Sequence, residues 1–161
     1  GKCARLGESG AMVGIDRLYE LGEGVEREGG RALGCYEAAA ERGGALGMRV
    51  MGMIYRDGRS VRKNLAKARY WFEKAAKKGD VLSDVTVAFC CLTGIAEKPD
   101  PERAVSILKN RARSKYVGKD GEYAMYLLGY CYEKGLAVEK DRQKALKLYR
   151  KGAENQSEGT L

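Results

Sequence analysis

The 161-residue sequence contains no histidine. Its absence removes the commonest general base and the commonest metal ligand together, and with them every Ser–His or Cys–His nucleophile pair. Carboxylates, Lys and Tyr remain for catalysis, yet nothing arranges them as a reactive set; the chain is read as a non-enzyme that needs no cofactor or metal. Apolar runs are short: none approaches the roughly 18 residues a membrane helix requires, and no leader peptide is visible. Cysteine is present in an odd number, at positions 3, 35, 90, 91 and 131, without a CxxC and without a histidine to complete a zinc site. That pattern is not a disulfide framework. Unpaired thiols suit a reducing compartment, which tilts an otherwise undetermined location towards the cytoplasm.

What is present is globular in balance, with 44% hydrophobic and 32% charged residues. The net charge of +8 is unevenly placed, since residues 45–80 hold ten basic and three acidic groups. Arg56, Arg59, Arg62, Lys63 and Lys67 crowd one short stretch. Aromatics are not interleaved with these charges, so base stacking has no platform there and a nucleic-acid partner is not expected. The ordinary reading of such a run is a solvated helical face.

Self-comparison is the most informative step. Gly22, Gly58, Gly94 and Gly135 recur at intervals of 36, 36 and 41 residues. Ala32, Ala68, Ala104 and Ala145 keep the same intervals, as do Tyr36, Phe72, Leu108 and Tyr149, and Tyr19, Tyr55, Cys91 and Tyr132. The five extra residues before the last copy fall around the Gly-bearing stretch "YVGKDGEY". Each copy reads as two helices. The first carries apolar residues at helical spacing, such as Met51, Ile54 and Tyr55, and stops at the shared Gly. The second starts behind Asn64, Asp100 or Asp141, whose side chains can satisfy a free backbone N–H. Pro101 then occupies a first helical position, where its missing donor costs nothing. In the first copy Glu28 followed by Gly29-Gly30 makes a weaker start.

The opening residues fit the same register. "KCARLGE" at 2–8 matches "KAAKKGD" at 74–80, so residues 1–8 read as the tail of a preceding repeat or an N-terminal cap, and the chain as a piece of a longer array. Residues 9–161 then form a single solenoid domain with repeats at about 9–44, 45–80, 81–121 and 122–157.

The repeated pattern resembles the Sel-one-like repeat, a branch of the tetratricopeptide superfamily. The second copy supplies Met51-Gly52, Tyr55, Gly58, Val61, Lys67-Ala68, Trp71-Phe72 and Lys74-Ala75-Ala76; the last supplies Ala124, Leu128-Gly129, Tyr132, Gly135, Val138, Lys144-Ala145 and Tyr149. Asp16 and Ala88 replace the first-helix Gly, and the third copy has Cys91 for Tyr and loses the loop's second Gly and its Val, which implies less regular packing in copies one and three. A cysteine-rich branch of the family pairs a Cys with another about eight residues on; Cys3 would meet Ala11, so that pairing is absent. The resemblance implies an all-α, right-handed superhelical solenoid of antiparallel two-helix repeats. It also implies a non-catalytic scaffold or adaptor that grips another protein (a peptide, helix or acidic surface) in a concave groove. Two alternatives stand beside it: a regulatory domain of a larger enzyme, and a toxin-neutralising partner in bacterial antagonism.

Candidate sites follow from the register. Gly22-x-Gly24 follows a helix, whereas a phosphate-cradling loop follows a strand, so it reads as a turn. Cys90 and Cys131 hold equivalent places on adjacent first helices; axes about 8–10 Å apart exceed the roughly 7 Å that a disulfide tolerates, so both read as core thiols. Cys35 aligns with Trp71 and reads as packing. With Ala11, Ile15, Leu18 and Tyr19 assigned to the core, the flank left on the first helices gives three rows. They are Val13, Arg49, Val85 and Tyr126; Arg17, Met53, Phe89 and Tyr130; and Glu20, Arg56, Leu92 and Glu133. Aromatic and Met side chains beside Arg compose an interface. The expected groove is therefore Val13, Arg17, Arg49, Met53, Arg56, Val85, Phe89, Tyr126, Tyr130 and Glu133. The arginines would meet acidic or backbone oxygens, and the apolar residues would anchor.

Overall fold

The structure is a computed structural model that describes the backbone of residues 26–113 and 119–158 and the side chains of residues 33–113 and 119–154. Seven α-helices and no strands occur among the described residues. They are α1 (Glu26–Glu41), α2 (Ala45–Asp57), α3 (Leu65–Lys77), α4 (Val81–Thr93), α5 (Pro101–Ala112), α6 (Lys119–Lys134) and α7 (Arg142–Glu158). The chain divides into two compact units, Gly1–Ser83 and Asp84–Leu161. In the first, α2 packs on both α1 and α3; in the second, α6 packs on both α5 and α7. Helix α1 is described from Glu26, ahead of the start expected behind Glu28, and runs through Gly29-Gly30.

The local chemistry of the second, third and fourth repeats is the same. The first helix ends on a glycine in the left-handed region, as at Gly58 (φ 72°), whose N–H donates to the Ile54 carbonyl. Two residues on, Ser60, Ala96 and Ala137 take the same left-handed conformation at φ 60°, 66° and 54° without being glycine. The cap of the second helix then bonds back. The backbone N–H groups of Asn64, Asp100 and Asp141 donate to the carbonyls of Tyr55, Cys91 and Tyr132 at 2.9, 2.8 and 2.9 Å. Their side chains turn the other way: Asn64 Oδ1 accepts from the Lys67 N–H and Asp100 Oδ1 from the Arg103 N–H, both at 3.1 Å, and Asp141 Oδ1 from the Lys144 N–H at 3.0 Å. One residue therefore starts one helix and ties down the other.

Packing is set by small residues facing large ones. A Cβ on Gly52 would stand 2.8 Å from the Phe72 ring, and one on Gly129 would stand 2.7 Å from the Tyr149 ring. In the third repeat the equivalent pair is Ala88 and Leu108, both fully buried. There the larger first-helix residue comes with a smaller residue at the second-helix position. Between repeats, Gly47 lies against the backbone of Ala39 and Ala40, where a Cβ would meet Ala40 N at 2.9 Å. Its equivalents Ser83 and Ala124 are also small and fully buried. The core of the first unit gathers Tyr36, Ala39, Ala40, Met48, Met51, Ile54 and Ala75.

Gly129→Ala should lower stability by about 1–3 kcal/mol, the usual cost of overpacking. Tyr149→Leu in the same chain should recover much of that loss by recreating the Ala88–Leu108 pair. Urea denaturation of the two single variants and the double variant measures the coupling. Ala137→Gly should instead stabilise by roughly 0.5–1 kcal/mol, since relief of left-handed strain of about 1–2 kcal/mol outweighs the entropy cost of glycine.

Candidate functional site

In the first unit, α2 carries Arg49, Met53 and Arg56. Met53 is half-buried. Arg49 is not free for a partner: its Nε lies 3.6 Å from Asp80 Oδ2. Asp80 is itself held at the entry of α4, accepting from the backbone N–H and the hydroxyl of Ser83. Arg56 grips its neighbour Asp57 with two contacts, Nε–Oδ1 at 3.0 Å and Nη2–Oδ2 at 3.3 Å. Both arginines therefore face carboxylates of their own chain. That engagement, with Arg59 and Lys63 adding positive charge, holds the Asp57 carboxyl below its ordinary value.

In the second unit, Phe89 on α4 and Tyr130 on α6 occupy the same repeat position and are 37% and 40% exposed. Tyr126 is 58% exposed, and its ring centroid lies 5.5 Å from that of Tyr149 on α7. Glu133 is exposed but accepts the Tyr149 hydroxyl at 2.8 Å. Val85 is a correction: it is fully buried and can touch no partner. The rows taken from sequence ignored that neighbouring repeats cover one flank of a first helix. Val13 and Arg17 lie outside the described residues.

Cys90, Cys91 and Cys131 are buried thiols outside any disulfide, as expected of core positions, and burial pushes Cys131 up to about 11. Cys35 is buried as expected of its place opposite Trp71, but it is not only a packing residue, since it carries a disulfide whose partner lies outside the described residues. Alignment placed the side chain and could not assign its oxidation state, so the compartment argument from unpaired thiols does not extend to Cys35. Among the described residues no cluster of Cys, Asp or Glu could hold a metal, and no helix is long and apolar enough to cross a membrane.

Sequence reasoning missed five exposed apolar or aromatic side chains, Leu46, Leu65, Tyr70, Tyr123 and Leu146, at 36%, 38%, 52%, 38% and 51%. Tyr70 and Trp71 share the Lys74 ammonium, which sits 4.9 and 5.4 Å from their ring centroids. The equivalents of Leu146, Arg69 and Val105, are 4% and 5% exposed.

Comparison with known proteins gives a consistent result. The Sel1 repeat family model matches residues 3–44, 45–80, 87–109 and 122–157. A solved Sel1 repeat protein from Oxalobacter formigenes superposes with a TM-score of 0.76 at 28% identity, over 91% of this chain and 58% of that one. A protective antigen of uropathogenic Escherichia coli with the SLR fold superposes at 0.78 and 26% identity, over 94% of this chain and 32% of that one. The fold is thus the two-helix repeat solenoid of these proteins. Chitin synthase regulatory factor 3 of Schizosaccharomyces pombe is 38% identical over 79 residues, which is 49% of this chain but 8% of that protein.

Burial, together with the hydrogen bond to Glu133, raises the Tyr149 phenol above its ordinary value of 10.0. A raised phenol stabilises the fold fully below the unfolded value, and that contribution is lost as pH climbs towards the folded one. Absorbance titration at 295 nm should show one of the ten tyrosines ionising late, together with alkaline destabilisation. Both features should be missing in Tyr149→Phe.

Proposed function

The chain belongs to the Sel1 repeat family, and from that premise we propose that it is a non-catalytic adaptor that holds a partner protein on the face its first helices present. Sel1 repeat proteins generally mediate protein–protein interaction. One observation carries the reading for this chain: Phe89 and Tyr130, at the same repeat position on α4 and α6, stay 37% and 40% exposed. An aromatic ring left open on a rigid helix is the kind of residue that anchors an interface at low entropic cost. Arg49 and Arg56 are held by Asp80 and Asp57, so charge contributes to steering and orientation more than to anchoring.

The second reading, a regulatory segment of a larger assembly, is favoured by the relative whose printed function is regulation of chitin synthase. It is compatible with the first, because a regulatory factor can act by holding its target. The chain spans about 8% of that relative.

A photo-crosslinking amino acid at position 130 of the otherwise native chain, expressed in its source cells, should capture a defined partner. Phe89→Ala with Tyr130→Ala should then weaken the purified complex at least ~10-fold while leaving the helical circular-dichroism spectrum unchanged. Unaltered affinity in the folded double variant rejects this face.

A further inference from the structure

A cavity of about 480 Å³ opens between α5 and the loop that joins α6 to α7. Lys109, Tyr132, Glu139, Lys140, Asp141 and Lys144 are among the residues that line it. Lys109 is half-buried, and the other two lysines are exposed. The Lys144 ammonium lies 5.4 Å from the centroid of the Tyr132 ring, which holds it against the wall. Asp141 has its Oδ1 taken by the backbone N–H groups of Gln143 and Lys144, each at 3.0 Å, so that carboxylate is committed to the start of α7. Among the described residues of the lining, Glu139 is then the one carboxylate left to face three ammonium groups.

The repeat register identifies the missing charge. Positions 37, 73 and 109 are equivalent, as are 67, 103 and 144. Two copies hold Glu37 with Lys67 and Glu73 with Arg103, an acid on one second helix and a base on the next. The third holds Lys109 with Lys144, so the sign of one member is reversed. Two ammonium groups sharing one cavity repel, and an anion between them removes that cost. The opening is a property of the position: Lys67 and Arg103, each followed by a further copy, are exposed as Lys144 is. The volume falls in the range of small-molecule sites, roughly 300–1,000 Å³. It exceeds one carboxylate, so an occupant with two fits the three ammonium groups.

We propose that this cavity binds a dicarboxylate from outside the chain, either a free small molecule or two adjacent acidic side chains, gripped by Lys109, Lys140 and Lys144. One carboxylate takes the place that the register elsewhere gives to a glutamate. Neither Phe89 nor Tyr130 lines the cavity, so this site and the partner face can fail separately.

The test titrates the nitrogen-labelled full chain with succinate, with the dipeptide acetyl-Glu-Glu-amide and with inorganic phosphate, each against sodium chloride of equal ionic strength. The backbone amide signals of Ala137, Val138 and Lys140 should shift saturably with succinate or the dipeptide and not with sodium chloride. Saturation by succinate assigns a free dicarboxylate, and saturation by the dipeptide alone assigns an acidic segment of a partner protein. Lys109→Met should weaken binding about threefold or more, and Lys109→Glu at least ~10-fold, because it restores the charge held at positions 37 and 73. Phe89→Ala with Tyr130→Ala should leave binding unchanged. Circular dichroism checks that each variant is folded. Absence of saturable shifts, equal shifts in sodium chloride, or equal binding by the folded Lys109→Glu chain overturns the proposal. So does phosphate binding more tightly than both carboxylates, because the occupant would then be another anion.

Discussion

How closely the first helix of a repeat can approach the second decides the rest of this fold. Gly52 makes room for the Phe72 ring and Gly129 for the Tyr149 ring, each at a distance no Cβ would allow. In the third repeat Ala88 and Leu108 hold the same two places, and both are sealed from solvent. Volume is shared across the seam rather than fixed on one side of it, which is how close-packed interiors tolerate change. The loop depends on that spacing. The cap residue of each second helix can reach the carbonyl of Tyr55, Cys91 or Tyr132 only while the two axes stay close. The left-handed residues Ser60, Ala96 and Ala137 are tolerated because a chain tied at both ends has no cheaper route.

Much of this was legible in the residues. Three glycines marked the first-helix stops, and Asn64, Asp100 and Asp141 marked the second-helix starts; the structure places those caps where their chemistry requires. The seam was legible too, but only as a pair. Taken alone, Ala88 reads as a departure that loosens packing, and only beside Leu108 does it become a compensated exchange. Less legible were the side-chain partners. Arg49 and Arg56 have the composition of interface residues, yet Asp80 and Asp57 claim them. Whether a guanidinium faces a neighbour or a partner depends on rotamers and on the loop that delivers the carboxylate, and periodicity carries neither. Cys35 illustrates the same limit, since its alignment fixed its burial and not its bonding.

A second coupling runs along the outside of each repeat. Lys67 sits 5.3 Å from the Tyr55 ring centroid, and Lys144 sits 5.4 Å from that of Tyr132. Where the ring is lost, at Cys91, the residue equivalent to the lysine is Arg103, so ring and ammonium change together. An exposed cation–π contact contributes about 0.5–1 kcal/mol, against roughly 1–3 kcal/mol for an overpacked seam. The seam therefore governs the fold, and the lysine–ring contact adjusts how the loop and second helix sit on it.

Exposure on such a chain has two separate origins, and distinguishing them determines which residues can serve a partner. Met53, Phe89 and Tyr130 are each half-buried or open, so their exposure belongs to the helix face. Val85 and Tyr126 share another repeat position, yet one is sealed and the other is the most open aromatic side chain described; here exposure differs from copy to copy. Val105 and Leu146 repeat that contrast on the second helices. Equivalence in the repeat register therefore does not fix burial: what packs on a position in its own copy decides whether the side chain is core or surface.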